Sequence, residues 1–494
     1  MALQSADRKN QDHGLIPKVN MENHLRSELS KATSLCTNRF GAENLPKVLR
    51  LGKTMVSERD NQGISLGVWF AGWPQERIAH IYSSSKHGDV PSLAGRDYRM
   101  GHAERRFGHL LQLTKHLAPD GWVPAAEVKS KGGSVRPNHL RDLKNWLRKQ
   151  LIDSGLVDLI FSTRISSKLD DFIRTFAPDL IHAQTTDLGL MALAINISDR
   201  YKIPICIHVL DDYPSVLYKN SFISKWVRLL VESRFDQVLE RSKAFITPCD
   251  AMALEYRARY KKPFEPIFYG DNWERHMRAE PIRADEPGIV TIAYCGSLYL
   301  DRWRGILEVA QAAKTLEAEG RGIRIHVYAP RVPMEAQRSF SRQDNLVVHD
   351  IPSHEEVPGI LKGADILLLT ESFDPTIAAF TRLSLSSKVH LMMASERPVL
   401  VHGPAGLGTT EYAREWGWGA IVDSPADGER LRSTIRSLLD NPQESQRLID
   451  QGRRCFQHNH QTTTVIPRFR EILCRCANLG YGAEGKNLPS TALK

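Results

Sequence analysis

The sequence predicts an α/β protein of two doubly wound domains that face each other across a cleft. Three observations carry that prediction. The chain has 494 residues, more than one ordinary core holds, so two domains of roughly 200 residues each are expected. From residue 156 onward, short apolar runs alternate with helical stretches, the pattern of parallel strands covered on both faces. A segment rich in charge and proline, "ERHMRAEPIRADEPG" (274–288), interrupts the alternation, which then restarts.

Residues 1–45 are polar and lack sustained periodicity, and are read as a disordered extension. The first domain is placed at 46–273. Its strand-like runs are "LPKVLRLG" (45–52), "DLIHA" (179–183), "IPICIHVL" (203–210), "AFITP" (244–248) and "PFEPIFY" (263–269), with helical segments around 221–242 and up to 261. After the linker at 274–288, the second domain is placed at 289–460. Its strands are "IVTIAYC" (289–295), "IRIHVYA" (323–329), "NLVVHD" (345–350), "DILLLT" (365–370), "PVLVHG" (398–403) and "GAIVD" (419–423). A helix at 461–479 is expected to pack back on the other domain, followed by a tail at 480–494. Open α/β sheets bind ligands at the carboxyl ends of their strands, so the site is expected in the cleft.

Hydrophobic residues make up 41% and charged residues 25% of the chain, ordinary for a globular protein. The net charge of +9 suits an acidic partner: nucleic acid, an anionic membrane surface or a phosphorylated substrate. Nucleic acid is not expected, because the basic residues are dispersed and no aromatic-rich motif interleaves them. Seven cysteines without a CxxC pair point to free thiols in a reducing compartment. There is no apolar leader and no run of the ~20 apolar residues that a membrane span needs. The expected location is therefore the cytoplasm, with room for peripheral attachment at the inner face of the membrane. In "NHLRDLKNWLRKQLIDSG" (138–155), Leu140, Leu143, Trp146, Leu147 and Leu151 recur at helical spacing among Arg141, Lys144, Arg148 and Lys149. That pattern fits a helix lying on an anionic membrane, and it equally fits a domain helix with a solvated basic face.

Three stretches offer chemistry. In "AYCGSLYLDRWRGILEVA" (293–310), Gly296 and Ser297 end a strand and a helix begins at Arg302 and Arg304. A helix N-terminus behind a glycine turn is a phosphate site, and two arginines there would neutralise a diphosphate. In "LTESFDPTIAAFTRLSLSSKVHLMMASERPVLVHGPAG" (369–406), Glu371 lies just past a strand, where it could accept hydrogen bonds from vicinal hydroxyls or merely cap a turn. Ser386, Ser387 and Lys388 follow, the lysine within reach of a phosphate or simply solvated. In "CIHVLDDYPS" (206–215), His208 lies within a strand and Asp211 and Asp212 lie at its exit; a strand histidine is more often a core residue than a catalyst. "LRLGKT" (49–54) ends like a P-loop, but the required first glycine is Lys47. No GxGxxG, HExxH or zinc-type Cys/His spacing occurs, so neither a metal nor a cofactor is expected.

Taken in order, "FAGWPQERIAHIY" (70–82), "LDDYPS" (210–215), "FITPCDAMALEYRARYKKPF" (245–264), "YCGSLYLDRWRGILEVA" (294–310) and "SLSSKVHLMMASERPVLVHGPAG" (384–406) resemble a GT-B glycosyltransferase. The resemblance is to the retaining family 4 type of bacterial polysaccharide assembly, and it covers about 46–478. It implies two Rossmann-like domains, a nucleotide-sugar donor in the second and a glycan or lipid-linked acceptor in the first. Transfer would proceed with retention and without a metal; the absence of any Asp-x-Asp removes the metal-diphosphate chelate of the other common sugar-transferase architecture. Carried over by position, Gly296, Ser297, Arg302 and Arg304 match the diphosphate loop, Ser387 and Lys388 add to donor binding, and His208 and Asp211 are the candidate active-site groups of the first domain. Glu371 matches the first acid of the family's glutamate pair, whereas the second position is Ala379. The glycine-rich acceptor loop is replaced by "ERDNQGISLG" (58–67). These departures keep two other readings open: a catalytically silent GT-B scaffold at the membrane, and a sugar-nucleotide epimerase or hydrolase.

Overall fold

The computed structural model describes residues 45–53, 61–83, 94–105, 163–216, 224–284, 288–317 and 319–478. The expected extension (1–45, but for its last residue), the tail (480–494) and the basic helix at 138–155 lie outside them.

The first domain holds a seven-stranded sheet of β1 Val48–Gly52, β2 Ile78–Tyr82, β3 Arg96–Arg99, β4 Leu180–Ala183, β5 Ile205–His208, β6 Ser242–Thr247 and β7 Glu265–Pro266. Every pairing is parallel, in the order β3-β2-β1-β4-β5-β6-β7. Between the strands run helices α1 Asn61–Trp69, α2 Ser167–Phe176, α3 Leu188–Tyr201, α4 Tyr213–Val216, α5 Ser224–Arg241 and α6 Asp250–Tyr260. Strand alternation divides the core. Leu49, Leu51, Ile181, Ala183, Ile205 and Ile207 face α3 and α5, whereas Val48, Leu180 and Cys206 face α1 and the C-terminal helix. Asp187 starts α3 by accepting from Leu190 N at 2.8 Å, the side-chain cap that satisfies an otherwise orphaned donor.

The segment expected as a plain linker contains a short helix, α7 Trp273–Arg278, because Asn272 caps it by accepting from Glu274 N at 2.9 Å. The second sheet follows: β8 Val290–Cys295, β9 Ile323–Tyr328, β10 Leu346–His349, β11 Ile366–Thr370, β12 Val399–His402 and β13 Gly419–Val422. It too is wholly parallel, ordered β10-β9-β8-β11-β12-β13. Its helices are α8 Arg302–Glu317, α9 Met334–Phe340, α10 Val357–Gly363, α11 Pro375–Thr381, α12 Val389–Ala394, α13 Gly408–Trp416, α14 Gly428–Asp440 and α15 Pro442–Asn459. The fold is thus two Rossmann-like domains. In each sheet the order reverses beside its first strand, between β1 and β4 and between β8 and β11. Such switch points open a crevice beyond the strand ends.

The chain returns to the first domain through α16 Thr462–Cys476. Val465, Ile466, Phe469, Ile472, Leu473 and Cys476 recur at helical spacing and all are buried. Phe469 sits 5.1 Å from Phe70, 6.1 Å from Trp69 and 5.5 Å from His182 between ring centroids. The two crossings between domains are tied together: Asp271 N donates to His460 O at 3.0 Å, and Thr462 N to Asp271 O at 3.2 Å. Burial alone would raise the Asp271 carboxyl, but bonds from His276 and Arg275, each 2.9 Å, hold it well below the usual carboxylate range. No helix among the described residues is long and apolar enough to cross a membrane.

Removing the Phe469 ring should leave a cavity between α1, α16 and the sheet. Phe469→Ala is expected to cost about 3–5 kcal/mol, read as a lowered urea midpoint for the first domain.

Candidate active site at the interdomain cleft

The β8/β11 seam is where the second domain gathers its charges. Gly296 follows β8 with φ +152°, and a Cβ there would fall 2.6 Å from Lys388 Cδ and 2.8 Å from its Nζ. Only glycine lets the lysine lie across the turn. Lys388 Nζ donates to Tyr294 Oη at 3.2 Å, and that hydroxyl donates onward to Ser297 O at 2.6 Å. Ser297 Oγ accepts from Tyr299 N at 3.2 Å and shapes the loop. Two left-handed non-glycine residues, Leu300 (φ 60°) and Asp301 (φ 53°), then turn the chain into α8. Such strain gathers at sites that the surrounding structure holds in place.

Arg302 opens α8 with its side chain along the seam. Its Nε and NH2 each lie 3.0 Å from Glu371 Oε2, just past β11, and its carbonyl accepts from Thr370 Oγ1 at 3.0 Å. Glu371 is therefore an anchor for the guanidinium. Position 379 is an exposed alanine on α11, so no glutamate pair forms there; the group that approaches the Gly296 turn from the following segment is the cation of Lys388. Ser387, half-buried, precedes it at the start of α12. Burial first, then the nearby Arg302 charge, bring the Lys388 ammonium down to about 7 against the opposing pull of Glu371 and Cys295.

Arg304 does not join this group. Residues two apart on an α-helix point some 200° apart. Its side chain is 58% exposed, bonded to Asp301 at 3.1 Å and laid over Trp303 with Cζ 4.6 Å from the ring centroid. The expected arginine pair is thus one arginine at the seam and one at the surface.

From the first domain, Asp211 reaches the same cleft. It is open to solvent yet crowded by both domains. That crowding raises its carboxyl, while a hydrogen bond from Ser384 Oγ (2.7 Å) and the charge of Arg302 pull the other way. Asp212 is spent on the scaffold, accepting from Tyr256 Oη at 2.8 Å and Arg259 NH1 at 2.9 Å. The domains also meet at Arg382–Glu255, 3.1 Å, and through the Cys249 thiol, which donates to Leu383 O at 3.3 Å.

His208 corrects the expectation of a catalytic histidine. It faces α1 and α16 rather than the strand ends, its ring tilted against Trp69 with centroids 4.6 Å apart and its Nδ1 3.1 Å from His182 Nε2. Burial first, then the charge of Arg50, pushes it down to about 3. It is a neutral core residue. Tyr294 and Ser384 complete the site and were not foreseen. Tyr294 reads as another apolar strand residue, and Ser384 acquires meaning only where the domains meet. Among the described residues, no group of three or more His, Cys, Asp or Glu side chains is placed to hold a metal ion.

Comparison with known proteins agrees with this architecture. Residues 109–269, about a third of the chain, match the Glycosyltransferase Family 4 model. No curated protein sequence matches. Among solved structures, a glycosyltransferase from Rickettsia africae superposes with a TM-score of 0.51 at 12% identity, covering 88% of this chain and 100% of that one. The N-terminal domain of the Candida albicans trehalose-6-phosphate phosphatase gives 0.52 at 11%, covering 87% and 100%. The trehalose-6-phosphate synthase OtsA gives 0.52 at 12%, covering 88% and 99%. At such identities the likeness is one of fold, the GT-B arrangement of two Rossmann-like domains. The family match and that fold together support a glycosyltransferase.

The two arginines should separate by experiment. Arg302→Ala is expected to weaken nucleoside-diphosphate binding by about 100-fold, on the order of 3 kcal/mol for charge-assisted bonds. Arg304→Ala should change it by less than about twofold. Isothermal titration of both variants checks this.

Proposed function

We propose that the protein is a retaining glycosyltransferase whose second domain binds a nucleotide-diphosphate sugar and whose first domain presents a glycan or lipid-linked acceptor. The observation that supports it is the meeting of Arg302 and Lys388 at the β8/β11 seam with Asp211 facing them from the other domain. The diphosphate lies against the two cations, which replace a divalent ion as its counter-charge, so neither a metal nor a cofactor is needed. An acceptor hydroxyl attacks the anomeric carbon from the face on which the diphosphate departs. The anomeric C–O bond breaks, and a diphosphate oxygen takes the hydroxyl proton. Arg302, held by Glu371, and Lys388 stabilise the charge that builds on the leaving group, an electrostatic contribution made by pre-positioned groups. Asp211 orients the acceptor. The reading includes a role in surface glycan synthesis at the cytoplasmic face of a membrane, which rests on the resemblance and on the basic sequence at 138–155.

Thermal-shift screening against UDP, GDP, ADP and TDP sugars tests the donor class. A true donor at a hundredfold over its dissociation constant should stabilise the protein by roughly 3 kcal/mol. Sugar transfer to a lipid-linked or glycan acceptor should follow; free sugar or an epimer as the sole product would replace this reading with a hydrolase or epimerase.

Lys388 gives the reaction a pH signature. With its free-state value near 7, diphosphate binding raises it again, so binding takes up a proton. Affinity should be greatest below pH 7 and fall by about tenfold between about pH 7 and 8.5, and Lys388→Met should bind weakly with a flattened profile. Asp211→Asn should lower kcat by about 100-fold while leaving nucleoside-diphosphate affinity nearly unchanged.

A further inference from the structure

The cleft has two seams, and the transfer above uses the charges of only one. In the first sheet the order reverses between β1 and β4, and the side chain that spans this seam is Arg50. Its NH1 lies 2.9 Å from His80 Nε2, and its NH2 donates at 2.5 Å to Oε1 of Gln184, the residue after β4. A Cβ on Gly52 would fall 2.0–2.7 Å from the guanidinium, so glycine leaves the room that the group occupies at the carboxyl end of β1. Lys53, next along, is half-exposed and pairs with Asp187 at 3.3 Å.

Arg302 at the other seam is completed by Glu371; among the described residues Arg50 has no such partner. It is wholly buried, and burial alone moves its guanidinium, down to about 9, with no carboxylate acting on it. Asp97 stands 3.7 Å from Nδ1 on the far edge of the His80 ring. His182 and His208 are held neutral by burial and by surrounding positive groups, Arg50 among them. Of five N–H donors on a guanidinium, two are used. Its Nε has no partner, and neither do Nε2 of Gln184 and Oγ1 of Thr186. A buried charge without counter-charge is among the most costly arrangements in a protein.

We propose that Arg50 and Gln184 seat an oxyanion, a phosphate or carboxylate, carried by the acceptor. Such a group supplies the missing counter-charge, fits the guanidinium fork and accepts from the Gln184 amide. The identity of the ligand as acceptor rests on the transferase reading; the anion site itself does not.

The test measures anion binding with the donor cations removed. The Arg302→Ala/Lys388→Ala double variant is titrated with sodium phosphate and with sodium acetate, against sodium chloride at matched ionic strength, and the thermal midpoint is followed. A rise with phosphate, acetate or both is expected, and its pattern identifies the anion. Adding Arg50→Gln or Arg50→Met should abolish it. A double variant that responds to neither anion overturns the proposal, whether or not the Arg50 variants fold. So does a response that survives in a folded Arg50 variant. In turnover with an anionic acceptor, Arg50→Gln should raise the acceptor KM tenfold or more and leave the donor KM unchanged. Should no transfer be found at all, the midpoint response still decides the anion site.

Discussion

A parallel sheet buried on both faces has nowhere to do chemistry except at the ends of its strands. Both sheets here are of this kind, and most strand side chains away from the ends are apolar and enclosed. Polar groups that enter the interior must therefore be neutral, paired or aimed at the crevice beyond the strands. The reversal of strand order beside β1 and beside β8 creates two such crevices, and the return of α16 to the first domain sets them face to face. The placement of every charged group in the cleft follows from that constraint.

The two seams solve the same electrostatic problem differently. At β8/β11 a buried carboxylate, Glu371, pairs with Arg302 and fixes it along the seam. Lys388 runs over Gly296, so a second cation arrives from a distant segment at a spot that only a glycine could vacate. At β1/β4 the guanidinium of Arg50 is packed against Gly52 and bonds to His80 and Gln184. A cleft with one compensated and one uncompensated arginine is polarised before any substrate enters, and pre-set charge of this kind is what group transfer between two anionic or polar partners exploits.

Near the site the domains touch through polar groups at the solvent edge and through buried apolar ones, Cys249 and Met252 of the first domain lying in one cluster with Leu383 and Leu385 of the second. Ser384 to Asp211 and Arg382 to Glu255 involve groups in contact with solvent, whereas the crossings at Asp271 and His460 are buried and tied on both strands. Asp211, shared between Ser384 and open solvent, can exchange its serine partner for a substrate hydroxyl at little cost, since one hydrogen bond replaces another.

The alternation of apolar runs and helical segments was enough to place eleven of the thirteen strands among the described residues, because each buried strand leaves a compact apolar signature. β2 and β3 escaped it: the alternation is regular only from residue 156 onward, which leaves β2, "IAHIY" (78–82), outside it, and β3 is the polar edge strand "RDYR" (96–99). The glycine turn and Arg302 were legible too, since a strand end followed by a helix start is a local pattern. What the local pattern could not supply was direction. Helical geometry sent Arg304 to the surface, and strand alternation turned His208 into the core. Juxtaposition decided the rest. Lys388 beside Gly296, Ser384 beside Asp211 and Arg50 beside Gln184 are 92, 173 and 134 residues apart in sequence; the first and third pairs meet through the parallel pairing within one domain, and the second only where the two domains pack together.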